Sequence, residues 1–162
     1  MNHPPKYSRN VALQRLRRYC AYQERCHQEV RNKLKEWHLY YSEAEQILTQ
    51  LIEEGFLNEE RYAKAFAGGK FRAKGWGRQK IMNALRQKGI SSYLITSSLK
   101  EIDTPDYSKK LEQLLQKKKI SLKEDKPMIQ KQKLVRFALS KGYESEMVWA
   151  VVNELMGNPY LS

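Results

Sequence analysis

Residues 83–102 read NALRQKGISSYLITSSLKEI, and two other stretches lie on them without gaps: NKLKEWHLYYSEAEQILTQL at 32–51 and RFALSKGYESEMVWAVVNEL at 136–155. In that alignment Leu39, Ile90 and Tyr143 correspond, then Ala44, Ile95 and Val148, then Leu48, Leu99 and Val152, and last Leu51, Ile102 and Leu155. The later positions recur three or four residues apart, the spacing of one helical stripe. A chain that repeats a helical unit in this way is a tandem array, so the reading of one stretch serves for all three.

Working outward, a longer helical pattern precedes each stretch, over about residues 9–24, 58–74 and 105–119. The expected fold is therefore all-α, with three tandem three-helix units: residues 9–54, 55–103 and 104–162, after a flexible N-terminus of residues 1–8. The basic run KKKISLKEDKP, 117–127, reads as a loop that interrupts the last unit before Pro127 opens a helix. Gly55, Gly75, Gly89 and Gly142 stand where helices should end, in position for left-handed caps. Ser42, Asn58, Ser91 and Ser145 stand where helices should start. A unit of this size has little interior, so each should lean on its neighbours and the array should be elongated.

Thirty Lys and Arg against eighteen Asp and Glu leave a formal charge of +12, which favours polyanions or acidic protein faces as partners. The excess is uneven. Residues 1–54 hold nine basic and seven acidic side chains, 55–103 ten and four, and 104–162 eleven and seven. From Arg61 through Lys100 there is no Asp or Glu at all. No stretch is apolar enough to span a membrane and MNHPPKYSRN has no secretory apolar segment, so a cytoplasmic protein is expected.

Chemistry finds little foothold. Cys20 and Cys26 are six residues apart, on poorly matched helical faces, and no disulfide is expected. With His27 and His38 they lack metal-ligand spacing. His3, His27 and His38 have no nucleophile and carboxylate arranged beside them, so no catalytic residue, metal or cofactor is expected. Tyr19, Tyr22, Trp37, Tyr40 and Tyr41 read as core and boundary aromatics rather than base-stacking platforms.

The stretch KFRAKGWGRQKI, 70–81, carries the strongest functional signal. Arg72 and Lys74 near a helix C-terminus are favoured by its dipole, whereas Arg78 and Lys80 open the next helix and work against it. An outside anion, held by Arg78 and the helix-start amides, would explain that placement. Trp76, between Gly75 and Gly77, is expected to plug the joint rather than stand exposed. Gly68 and Gly69, inside a helix, suggest a kink or close approach by another backbone. The run GGK lacks the spacing of a phosphate-binding loop.

EEGFLNEERYAKAF at 53–66, followed by KGWGRQKIMNALRQKGI at 74–90, resembles the RecX family of bacterial recombinase regulators. YCAYQERCHQEVRNKLKEW and LVRFALSKGYESEMVWAVVNEL resemble the flanking repeats more loosely, so the likeness covers nearly the whole chain after about residue 9. Many members carry Pro where Arg78 stands, and a more polar residue at Ala84. The resemblance implies a curved rod of three repeats lying in the groove of a RecA filament on DNA, where it restrains filament extension, ATP hydrolysis and strand exchange. On that reading Lys70, Arg72, Lys74, Trp76, Arg78, Lys80, Arg86 and Lys88 are the candidate filament and nucleic-acid contacts. Contacts to single- or double-stranded DNA would be weak and blind to sequence, and the protein an elongated monomer with no membrane partner. The alternative is a stand-alone helix-turn-helix regulator using helices at 77–88 and 92–102, although SYLITSSLKE has almost no side chain that reads base edges. A helical adaptor that docks acidic proteins without DNA is the third reading.

Overall fold

A computed structural model describes residues 3–124 and 126–157. These form nine α-helices and no strand: α1 (Arg9–Tyr22), α2 (His27–Glu36), α3 (Tyr41–Glu53), α4 (Glu59–Lys74), α5 (Arg78–Gln87), α6 (Ser92–Leu99), α7 (Thr104–Ser121), α8 (Pro127–Ser140) and α9 (Ser145–Met156). Among the described residues none of these is long and apolar enough to cross a membrane.

The alignment of the three stretches is visible in the backbone. Helices α2, α5 and α8 end alike: the amides of Leu39, Ile90 and Tyr143 donate to the carbonyls of Leu34, Leu85 and Ala138 at 3.1, 3.1 and 3.3 Å. The residue before each donor sits in the left-handed region, His38 at φ 58°, Gly89 at 77° and Gly142 at 97°. This closure satisfies end carbonyls and tucks the next apolar residue under the helix; Leu39, Ile90 and Tyr143 are all buried. Gly55 and Gly75 are left-handed as well, so all four expected glycine caps are in place.

Starts were harder to place. Asn58 Oδ1 accepts the Arg61 amide at 2.9 Å and Ser91 Oγ the Leu94 amide at 3.3 Å, as expected. Ser42 and Ser145 are not caps, because α3 and α9 begin from Tyr40 and Glu144 with no side-chain cap bond. Ser8 caps α1 through Val11.

In the segment 1–8, expected as a flexible N-terminus, the Lys6 amide donates to the Trp37 carbonyl at 2.8 Å and the Tyr7 ring meets Trp37 edge-on at 5.2 Å; Met1 and Asn2 lie outside the described residues. Two expectations need correction. The expected basic loop 117–127 begins later, because α7 continues to Ser121. Its lysines are used: Lys118 lies 5.1 Å over the Phe137 ring and Lys119 Nζ donates to the Leu155 carbonyl at 3.1 Å. Asp125, within that loop, and residues 158–162, within the expected third unit, lie outside the described residues. At Gly68 and Gly69 α4 runs unbroken and close approach by another backbone is not what the glycines serve: a Cβ on Gly68 would meet the Arg72 guanidinium at 2.7 Å, and one on Gly69 nothing within 4 Å.

The helices gather into two compact units, and the segment expected as one middle repeat is shared between them. One unit holds the described residues of Met1–Ala65 with Leu85–Thr96. Its core joins Leu13 and Leu16 of α1, Val30 and Leu34 of α2, and Ile47 and Leu51 of α3. Polar pairs dress its outside, including Arg17 with Glu54, Arg31 with Glu45 and Arg61 with Glu24. The other unit holds Phe66–Ala84 with the described residues of Ser97–Ser162. Tyr107 of α7 is fully enclosed in it, 4.9 Å from the Tyr143 ring and 6.0 Å from Phe71, centroid to centroid. Leu111, Leu134 and Val148 are buried on α7, α8 and α9, which pack on one another.

Candidate functional site

The end of α4 shows how the second unit presents its charge. Gly75 turns the chain left-handed, its amide bound to the Phe71 carbonyl at 3.0 Å, and Trp76 follows with its amide on the Lys70 carbonyl at 3.2 Å. Gly77 then meets Gly142 backbone to backbone: its amide donates to the Lys141 carbonyl at 2.7 Å, and the Gln79 amide to the Gly142 carbonyl at 2.9 Å. A Cβ on Gly77 would overlap the Gly142 carbonyl, so glycine is required there by space. The close backbone approach expected at Gly68 and Gly69 occurs here instead.

Arg78 departs from expectation. Its guanidinium lies 3.9 Å over the Tyr107 ring and donates to Glu144 Oε2 at 3.2 Å, while its amide donates to the Tyr107 hydroxyl at 3.0 Å. That hydroxyl donates in turn to Glu144 Oε1 at 2.8 Å. Burial pushes the Tyr107 phenol well above its ordinary value, so it remains a donor to the carboxylate. The anion that balances Arg78 is internal, and the first two α5 amides, those of Arg78 and Gln79, already have acceptors. Arg78 and these two amides are thus engaged within the fold.

The remaining expected contacts of this unit behave differently. Lys70, Arg72, Lys74 and Lys80 make no ion pair among the described residues. Trp76 is half-buried, its ring edge-on to Phe66 at 6.2 Å. The Lys70 and Lys80 ammonium groups lie 5.0 and 4.7 Å from its centroid. The indole therefore partly plugs the joint, as expected, and also serves as a post for two lysines. Arg72 and Lys74 are exposed on the last turn of α4.

Two residues escaped sequence reading. Lys110 Nζ donates to the Arg72 carbonyl at 3.4 Å and Lys141 Nζ to the Lys74 carbonyl at 3.3 Å. Both side chains reach the C-terminal carbonyls of α4, where a cation is favoured. They come from α7 and the end of α8, and only the close seat of Gly77 on Gly142 could have announced them. Tyr143 completes the closure, its hydroxyl donating to the Gly75 carbonyl at 3.0 Å. Lys70, Arg72, Lys74, Lys80, Lys110 and Lys141 thus gather around one helix end, and Glu144 is already engaged by Arg78. Arg86 and Lys88 belong to the other unit, where they also make no ion pair among the described residues.

The two thiols sit in that first unit, both buried and free. Cys26 Sγ donates to Glu29 Oε1 at 3.2 Å. Burial pushes both thiols up to about 11, which keeps them protonated and poorly nucleophilic.

Comparison with known proteins agrees with this architecture. The sequence model described as RecX, second three-helix domain, matches residues 58–99, and that of RecX, third three-helix domain, matches 106–152. The regulatory protein RecX of Clostridium perfringens strain 13 is 35% identical over 136 residues, which is 82% of this chain and 63% of that protein. The Streptococcus uberis protein of the same name is 29% identical over 151 residues, 92% of this chain and 55% of its own length. The chain thus spans somewhat more than half the length of these relatives. A crystal structure of regulatory protein RecX shares the fold with a TM-score of 0.79 at 24% identity, over 91% of this chain and 70% of that one. The Lactobacillus salivarius RecX structure does so at 0.78 and 23%, over 91% and 93%. With consecutive domain models, relatives and fold in agreement, the chain belongs to the RecX family.

Proposed function

We propose that the chain binds the RecA recombinase filament on DNA and restrains its extension, ATP hydrolysis and strand exchange. The observation that carries this reading is the set of cations around the α4 end, Lys70, Arg72, Lys74, Lys80, Lys110 and Lys141, which lack acidic partners among the described residues. Positive charge that folding leaves unneutralised is available to phosphate or to acidic protein. The side chains are lysines and an arginine on backbone-fixed positions, which suits phosphate and sugar contact rather than base reading. Regulation here needs no chemistry from the chain, which acts as a monomer in the cytoplasm, without metal or cofactor. Arg86 and Lys88 supply further contacts, while Arg78 acts through the fold. The helix-turn-helix alternative gains no support, since α6, SYLITSSL, offers no Arg, Asn or Gln to a base edge.

The test is the single-strand-dependent ATPase of the cognate RecA, titrated with this protein at low salt. Inhibition that weakens when Lys74 and Lys80 are changed together to Glu supports the reading. Full ATPase activity at every stoichiometry rejects it.

A further inference from the structure

The third repeat carries an apolar opening that its sister repeat closes with charge. An open groove between α8 and α9 is lined by Val135, Leu139, Arg136 and Trp149, with Gln132 and Ser140, and no carboxylate lines it. Leu139 and Trp149 are 41% and 42% exposed. Under the alignment of the repeats, Val135 and Trp149 correspond to Arg31 and Glu45, and Leu139 to Lys35. In the first repeat Arg31 Nε donates to Glu45 Oε1 at 3.0 Å, so an ion pair covers the equivalent surface. The same supersecondary unit therefore folds with polar residues at these positions. Two large apolar side chains left in water where a charged pair suffices mark a contact surface.

The rim selects the occupant. Lys131 lies 5.7 Å over the Trp149 ring and Arg136 lines the groove; neither makes an ion pair among the described residues. A second copy of this chain, at +12, meets that rim with like charge. We propose that the α8–α9 groove docks an acidic segment of a partner protein, with one or two aliphatic or aromatic side chains seated against Leu139 and Trp149 and flanking carboxylates on Lys131 and Arg136. This surface is distinct from the cations at the α4 end, and the inference does not rest on the proposed filament activity.

The experiment is selection of a displayed random twelve-residue peptide library on the purified full chain, followed by fluorescence anisotropy of the enriched peptides. Two variants carry what the first repeat has at these positions, Trp149→Glu and Leu139→Lys, so each substitution is one the repeat tolerates; thermal melts confirm their folding. Enriched peptides should combine Asp and Glu with Leu, Ile, Phe or Met. Each variant should weaken them at least tenfold, and so should replacing the peptide's apolar residues by Ser. The inference is overturned by an absence of such peptides, by binding that survives the Ser replacement, or by binding indifferent to both variants. It is equally overturned if the variants lose affinity for a labelled oligothymidylate instead, which makes the groove a nucleic-acid site. Sedimentation showing that the wild type self-associates through Trp149 also overturns it.

Discussion

His38 is the residue at which the repeats disagree most instructively. Gly89 and Gly142 take the left-handed cap without strain, whereas His38 holds φ 58° with a side chain attached. Its ring stands 5.0 Å from His3. His38→Gly is expected to stabilise the chain by about 0.5–1 kcal/mol and raise the melting temperature by about 2–4 °C by calorimetry. A lower midpoint would mean that the histidine contact outweighs the strain. The two cysteines give a second prediction at this scale. With folded values near 11 against an ordinary thiol near 9, the folded state holds protons that the unfolded state has released. Their contribution to stability is complete below pH 9 and is lost as pH rises from 9 toward 11. Urea melts across that window should show the decline, and Cys20→Ala with Cys26→Ala should reduce it, most clearly below pH 10, leaving the part that the buried Tyr62, Tyr107 and Tyr143 contribute above it. Native thiols should react slowly with an aromatic disulfide reagent at pH 8 and quickly once unfolded.

At the scale of elements, helix ends were legible and helix starts less so. Glycine at Gly55, Gly75, Gly89 and Gly142 is a backbone requirement written as a residue type, and all four are left-handed. Serine is a weaker sign, because its hydroxyl serves many local roles: Ser91 caps α6, while Ser42 and Ser145 do not cap α3 and α9. The lysine-rich end of α7 read as loop on charge, yet lysine is a good helix former and its stem can lie along apolar surface, as Lys118 does on Phe137. Equivalent caps need not be equally tolerant. A Cβ on Gly89 meets nothing within 4 Å, whereas one on Gly142 would strike the Lys80 backbone. Gly89→Ala is expected to cost about 1–2 kcal/mol, the left-handed penalty alone. Gly142→Ala should cost more than about 4 kcal/mol, since the seat of Gly77 must shift as well. Equal losses in parallel denaturant melts would show that the backbone contact contributes nothing.

For the molecule as a whole, sequence located the basic region but could not divide its charges into those that folding uses and those it leaves free. Arg78 looked most in need of an external anion because its nearest acid, Glu144, is 66 positions away. Lys110 and Lys141 looked ordinary for the same reason: tertiary contact, not local pattern, brings them to α4. That division can be measured. Each lysine that holds a phosphate of a single strand contributes about 0.7 to the slope of log affinity against log salt. For oligothymidylate binding, Lys74→Gln with Lys80→Gln should lower the slope by about 1.4, with little change in melting temperature, because neither side chain has an acidic partner to lose. Arg78→Met should do the reverse: it strands a half-buried Glu144, costs about 1–3 kcal/mol of stability, and leaves the slope unchanged at temperatures where the variant is folded. If Arg78→Met lowers the slope by a full contact while the melt stays in place, the Glu144 pair opens in the complex and Arg78 reaches phosphate. If the double lysine variant leaves the slope intact, the α4 end faces protein, and the nucleic acid lies elsewhere on the chain.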